Sequence, residues 1–162
     1  MGRSTRISRM DADILHLDRL RSESDVFSIE SSDDEYIEFQ MRCRGLMESG
    51  GRIRYTTKHR VGLYFPVDYP FVAPVVEWRT PLFHPNILGC DHPHHPGATC
   101  LGIWSPSVRI DSLIEHIYDL VSLRTYNIAS PLNPVAAQWI RLNPHRIPVD
   151  NRPFRNISES AY

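Results

Sequence analysis

Long apolar runs are missing from this 162-residue chain. No stretch approaches the roughly 18 apolar residues that a membrane-spanning helix needs, and the opening Met1-Gly2-Arg3-Ser4-Thr5-Arg6 lacks the apolar core of a secretion signal. No membrane partner is expected, and the default placement is cytoplasmic. An excess of one charge is missing too. Eighteen Lys and Arg stand against 19 Asp and Glu, a formal net charge of -1, so the overall electrostatic footprint of a nucleic-acid binder is lacking. Cysteine is scarce: Cys43, Cys90 and Cys100 cannot pair off completely and show no spacing of a disulfide framework, which suits a reducing compartment. No internal repeat or low-complexity tract occurs.

What is present suffices for one core. Apolar residues make up 41% of the chain, with three Trp, seven Tyr and six Phe. The expected organisation is one domain over residues 1–143 and a proline-containing tail over 144–162. Ile7, Met10, Ile14, Leu17 and Leu20 recur at helical spacing, which predicts a first helix of about fifteen residues with one apolar stripe. Arg3, Arg6 and Arg9 recur every three residues at its start; they are either a solvated face or a dock for an acidic partner. Phe27 and Ile29, then Tyr36 to Met41, Val61 to Phe65 and Val75 to Trp78 read as four strands, punctuated by the acidic stretch at 31–34, by Gly50-Gly51 and by prolines 66 and 74. An antiparallel meander follows from that order. Eight prolines between 66 and 106 forbid a long helix there, and such loop-rich stretches commonly hold active sites. Ile110, Leu113, Ile114, Ile117, Leu120 and Val121 predict a core helix; Val135 to Leu142 predict a shorter one starting near Pro134. The remaining tail lacks periodicity and reads as extended or mobile. The fold class is α+β.

Cys100 is the residue of greatest chemical interest. It lies in Thr99-Cys100-Leu101-Gly102, after the amide of His84-Pro85-Asn86 and before Pro131-Leu132-Asn133. A thiol with a neutral amide upstream and a proline-bounded loop downstream suits acyl-thioester chemistry. A small buried core cysteine is the plain alternative, but Gly97 and Gly102 leave room for a substrate backbone to come close. A cysteine hydrolase is a weaker reading, because no Cys-His-Asn/Asp triad can be assigned from the spacing.

Six pieces, in order, carry a family resemblance: Phe65-Pro66-Val67-Asp68-Tyr69-Pro70-Phe71, Ala73-Pro74-Val75-Val76, Phe83-His84-Pro85-Asn86-Ile87, Cys100-Leu101, Trp104-Ser105-Pro106 and Pro131-Leu132-Asn133. Together they resemble the ubiquitin-conjugating (E2) enzymes over roughly Ile7 to Leu142. The resemblance implies the UBC fold and no cofactor or resident metal. It implies as partners a ubiquitin-like modifier, an E1-like activating enzyme, a target protein and, where used, a ligase. Cys100 would accept the modifier's C-terminal acyl group as a thioester and pass it to an amine, normally lysine. Asn86 would either donate to the tetrahedral oxyanion or hold its own loop. His84 reads as an architectural hydrogen-bonding group rather than a general base. Residues 127–130 would form the loop that desolvates and orients the lysine, with Asn127 and Ser130 as its polar groups and Tyr126 either helping or packing. Arg3, Arg6 and Arg9 become candidates for contact with the activating enzyme, and Phe71, Pro106 and Ser107 for the ligase surface.

Departures from the family pattern matter as well. Ser130 stands where many relatives have an acidic residue, and a hydroxyl cannot offset the charge of an ammonium. Residues 89–96 are an insertion containing Cys90, Asp91, His92, His94 and His95; zinc favours those side chains, but they lack a paired spacing, and a substrate-shaping loop is the better reading. A reversible Cys90–Cys100 disulfide is conceivable on chemistry alone. The proline-rich tail replaces the family's C-terminal helix pair. With the altered loop, it looks more like the E2-like proteins of bacterial ubiquitin-like conjugation systems, including those linked to phage defence. A non-catalytic E2-like module that scaffolds a modifier or activating enzyme is the alternative function.

Overall fold

The computed structural model describes residues 2–156, with side chains from Thr5 onward; the side chain of Arg3 and residues 157–162 lie outside the described set. Helix α1 runs Gly2–Glu23. Of its predicted stripe, Met10, Leu17 and Leu20 are buried, whereas Ile7 and Ile14 are each about half exposed. The helix turns Asp13 inward on the same face, because partners there satisfy it: its carboxylate accepts from the Tyr69 hydroxyl and, at 3.0 Å, from Arg9 Nε.

Strands β1 (Phe27–Ser32), β2 (Tyr36–Ser49), β3 (Arg52–Tyr64) and β4 (Val75–Trp78) form an antiparallel sheet in sequential order, the expected meander. β2 and β3 are longer than alternation suggests. Their ladder continues past a bulge between Arg42 and Gly45 to Ser49 opposite Arg52, and the joining turn places Gly50 and Gly51 at φ of 58° and 74°, which glycine adopts without a Cβ clash. The bulge breaks the period-2 pattern that the eye follows. β4 covers only residues 61–64 of β3.

Helix α2 (Ile110–Val121) lays Ile110, Ile114, Ile117, Tyr118 and Val121 against the core that also takes Phe39, Met41 and Cys43 of β2 with Val61 and Leu63 of β3. Burying each such large apolar side chain contributes about 1.5–3 kcal/mol. Helix α3 (Pro134–Leu142) begins with proline in its first turn, and the Asn133 side chain caps it by accepting from the Ala136 N–H at 3.1 Å. Among the described residues no helix is long and apolar enough to cross a membrane.

The structure adds to two expectations. Over its described residues, 144–156, the tail is extended, one of its two readings, and it is docked. After a 3-10 turn at Pro144–Arg146, Asp150 accepts from the Arg44 N–H at 2.9 Å and pairs with Arg152 at 2.9 Å. Phe154 is 2% exposed, stacking on Tyr118 at 4.8 Å and meeting Phe27 at 5.9 Å. Arg155 reaches Asp111, Glu115 and Glu23, and the Asn156 N–H donates to the Glu23 carbonyl at 2.6 Å. This C-terminal strap has no period because one aromatic, ion pairs and single backbone bonds hold it, not a repeating face. Nor do Arg6 and Arg9 form a free basic face. Arg6 donates to the carbonyls of Asp34, Phe65 and Pro66 at 3.0, 3.0 and 3.2 Å, and Arg9 donates to those of Pro106 and Val108 while lying over the Tyr69 ring. Loop carbonyls outside the sheet ladder need donors, and a guanidinium offers five.

Candidate active site

The chain doubles back on itself to assemble the site. Short antiparallel bridges pair Phe83 with Leu88 and Ile87 with Thr99, and the Cys100 N–H donates to the Asn86 carbonyl at 2.9 Å. The Asn133 N–H donates to the Pro85 carbonyl at 3.0 Å. Three motif pieces far apart in sequence therefore meet at one turn.

Cys100 is exposed and unpaired. Two residues on, Gly102 has a φ of 76° with open space around it, and Ile103 is 97% exposed. The approach to the sulfur is thus not closed off by the following segment. Cys43, by contrast, is a buried core thiol whose pKa burial pushes up to about 12, which makes it inert.

His84 is buried and fully engaged. Its Nδ1 accepts from the Asn86 N–H at 2.9 Å, which leaves Nε2 protonated and donating to the Leu120 carbonyl at 2.7 Å. Burial drives its pKa down to about 4, so the ring is neutral near pH 7 and has no nitrogen left to take a substrate proton. Asn86, also buried, is similarly committed. Its Oδ1 accepts from the Asn127 N–H and its Nδ2 donates to the Asn127 carbonyl, both at 2.8 Å. The Asn127 side chain then accepts from the N–H groups of Ala129 and Ser130 at 2.9 and 3.2 Å. Residues 127–130 hang from Asn86, with Asn127 and Ser130 exposed to solvent and Tyr126 36% exposed. Leu123, at the exit of α2, has a φ of 60° and is buried; that strained residue aims the chain into this loop.

The insertion closes on itself. Gly89 accepts from the N–H groups of His92 and Gly97, both at 3.1 Å. Gly97, at a φ of 79°, lets the Trp78 N–H reach its carbonyl at 3.1 Å, and a Cβ there would stand 3.0 Å from the Trp78 nitrogen. His94, His95, Cys90 and Asp91 are exposed, while the half-buried His92 ring accepts from the His94 and His95 N–H groups at 3.3 and 3.2 Å. Among the described residues no three His, Cys, Asp or Glu side chains converge on a metal-binding set. Burial, with help from Asp91, raises the Cys90 pKa; its thiol is therefore less inclined to ionise.

Phe71 (65% exposed), Pro106 and Ser107 lie on adjoining exposed loops. Trp104 joins those loops by donating from Nε1 to the Pro70 carbonyl at 2.8 Å, and Arg9 adds its bonds to Pro106 and Val108. Sequence reasoning missed this Arg9–Asp13–Tyr69–Trp104 cluster. The four-residue spacing of Arg9 and Asp13 was a readable signal; the long-range partners left none.

A four-stranded meander backed by a core helix, with the exposed Cys100 held through its backbone N–H on a buried Asn-bearing turn, defines a protein of the UBC fold. A solved structure of S. cerevisiae Ubc12 has that fold with a TM-score of 0.61, at 23% identity over 87% of this chain and 71% of that one. Curated relatives agree. The probable ubiquitin-conjugating enzyme E2 31 of Arabidopsis thaliana is 29% identical over 129 residues, 75% of each chain, and ubiquitin-conjugating enzyme E2 14 of Schizosaccharomyces pombe is 32% identical over 113 residues, 64% of each. The ubiquitin-conjugating enzyme family model matches residues 10–148. The chain belongs to the ubiquitin-conjugating enzyme (E2) family, which places it in ubiquitin-like conjugation.

Proposed function

We propose that the protein accepts a ubiquitin-like modifier from an E1-like enzyme as a thioester on Cys100 and transfers it to an amine of a target protein. The observation that carries this reading is the bond from the Cys100 N–H to the Asn86 carbonyl, with the same Asn86 suspending the 127–130 loop. The Cys100 thiolate attacks the activated carbonyl, and the tetrahedral intermediate expels the donor thiolate. An amine then attacks the new thioester, Cys100 leaves as thiolate, and the amine's proton passes to solvent. Asn86 acts by holding the amine-side loop; its second Nδ2 hydrogen is the one available to a developing oxyanion. Ser130 and Asn127 line the amine's approach, and His84 fixes the turn.

A bacterial, phage-defence setting draws its support from the short α3 with its strap and from the 89–96 insertion. Three unpaired thiols fit a cytoplasmic placement. The exposed Phe71, Pro106 and Ser107 support a ligase contact on that side. Arg6 and Arg9 have donors directed to loop carbonyls, so the geometry adds no support to them as the contact with the activating enzyme.

The test mixes the protein with ATP, a charged activating enzyme and its modifier, and reads non-reducing gels. A reductant-labile adduct is expected, lost in Cys100→Ala and converted to a reductant-resistant ester in Cys100→Ser. A reducible conjugate that persists in Cys100→Ser defeats the assignment. No adduct from a charged activating enzyme favours the scaffolding module, which Ser130 in place of an acid also favours.

A further inference from the structure

On β3 the even-numbered side chains share the outer face of the sheet. Four of the five positions from 52 to 60 on that face are basic: Arg52, Arg54, Lys58 and Arg60, with Thr56 between. All four are exposed. Arg42 of β2 stands directly opposite Lys58, a like-charge pair that the sheet tolerates at some cost. Of these five cations, only Arg60 has an acidic partner among the described residues, Glu38. A chain with a net charge of -1 thus concentrates unneutralised positive charge in one line.

That line runs along an open edge. β4 pairs with Val61–Tyr64, and the Arg79 N–H takes the Arg60 carbonyl at 2.8 Å. Between Arg52 and His59, β2 is the only described segment that forms backbone bonds with β3. An unpaired strand edge is a template for another strand. Charged residues on such an edge can serve merely to repel other edges. Here, however, they are of one sign and all at even positions, two or four residues apart, so that same-face side chains of an added strand would stand opposite them. The face between them holds no aromatic platform on which bases could stack, which disfavours single-stranded nucleic acid.

We propose that the free edge of β3 from Arg52 to His59, which ends where Thr80 and Arg79 take the Arg60 N–H and carbonyl, captures an extended acidic segment of a partner polypeptide as an added strand, with Asp or Glu at alternate positions facing Arg52, Arg54 and Lys58. Backbone bonds supply the register and the basic line selects the charge. This interaction stands apart from the chemistry at Cys100.

The test measures fluorescence anisotropy with a short labelled peptide of alternating Glu and Thr. Its controls are the same peptide N-methylated at alternate backbone nitrogens, a Lys/Thr counterpart and a single-stranded oligonucleotide. The Glu/Thr peptide is expected to bind, and binding is expected to weaken about tenfold or more on N-methylation and in Arg54→Glu/Lys58→Glu, a variant checked for an unchanged melting temperature. Slowed amide exchange at residues 52–59 is expected in the complex. The proposal is overturned by no binding, by binding that ignores the variant or the methylation, or by an oligonucleotide that binds as tightly as the peptide.

Discussion

Asn86 shows how much one side chain can carry. Both of its polar atoms go to the Asn127 backbone, so Asn86→Ala frees one end of the 127–130 loop and leaves two backbone groups to find water. A loss of about 1–3 kcal/mol is expected, read by thermal melting. Thioester formation should survive while discharge to free lysine slows, because the loop serves the second step; single-turnover gels separate the two, and equal losses in both steps would contradict the loop assignment. Ser130 admits the opposite experiment. Ser130→Asp places a carboxylate where the incoming ammonium sheds its charge, and about tenfold faster discharge to lysine is expected with charging unchanged. No gain would show that the amine does not pass this position.

At the scale of elements, the strap and the N-terminal helix define the core's margins. Phe154→Ala removes a ring packed between Tyr118 and Phe27 and is expected to cost about 3–5 kcal/mol in denaturant unfolding; a change under about 1 kcal/mol would mean the strap detaches in solution. Arg9→Ala strips the buried Asp13 carboxylate of its cation and frees the Pro106 and Val108 carbonyls, so roughly 3 kcal/mol of destabilisation is expected, with faster proteolysis at residues 104–108. The regular elements were legible because they announce themselves by period: the meander, α2 and the Pro134 start were all readable. The motif order also pointed to the pieces around Asn86, Cys100 and Asn133, which the fold brings to one turn. Illegible were the features that depend on a distant backbone atom. Neither the docking of Arg6 and Arg9 onto loop carbonyls nor the capture of Phe154 leaves a local trace, and the bulge in β2 disguises a strand that continues to Ser49.

For the molecule as a whole, buried imidazoles set the response to acid. Burial lowers the pKa of both His59 and His84 to about 4, and His59 Nδ1 is buried with no partner. The unfolded chain protonates both near pH 6.5 while the folded chain resists until about 4, so their stabilising effect is complete above about 6.5 and drains away as pH falls toward 4, by roughly 3 kcal/mol for each ring. Asp150 adds a second stage: burial opposes its ionisation, but bonds from Arg152 and the Arg44 N–H hold its pKa at about 2, so that contribution is lost as pH drops below the ordinary carboxylate range. Urea midpoints measured from pH 7.5 to 3 should fall first between about 6.5 and 4 and then again below; a flat profile down to pH 5 would contradict the burial of the two rings. The strap has one more consequence, which concerns synthesis. Because Phe154 fills the space between Tyr118 and Phe27, and Arg155 and Asn156 tie off Glu23 near the other end of the chain, the ribosome must deliver almost everything described here before the interior can be sealed. A translation product stopped at residue 143 would already contain Cys100 and its whole motif set, yet it would emerge with an open core.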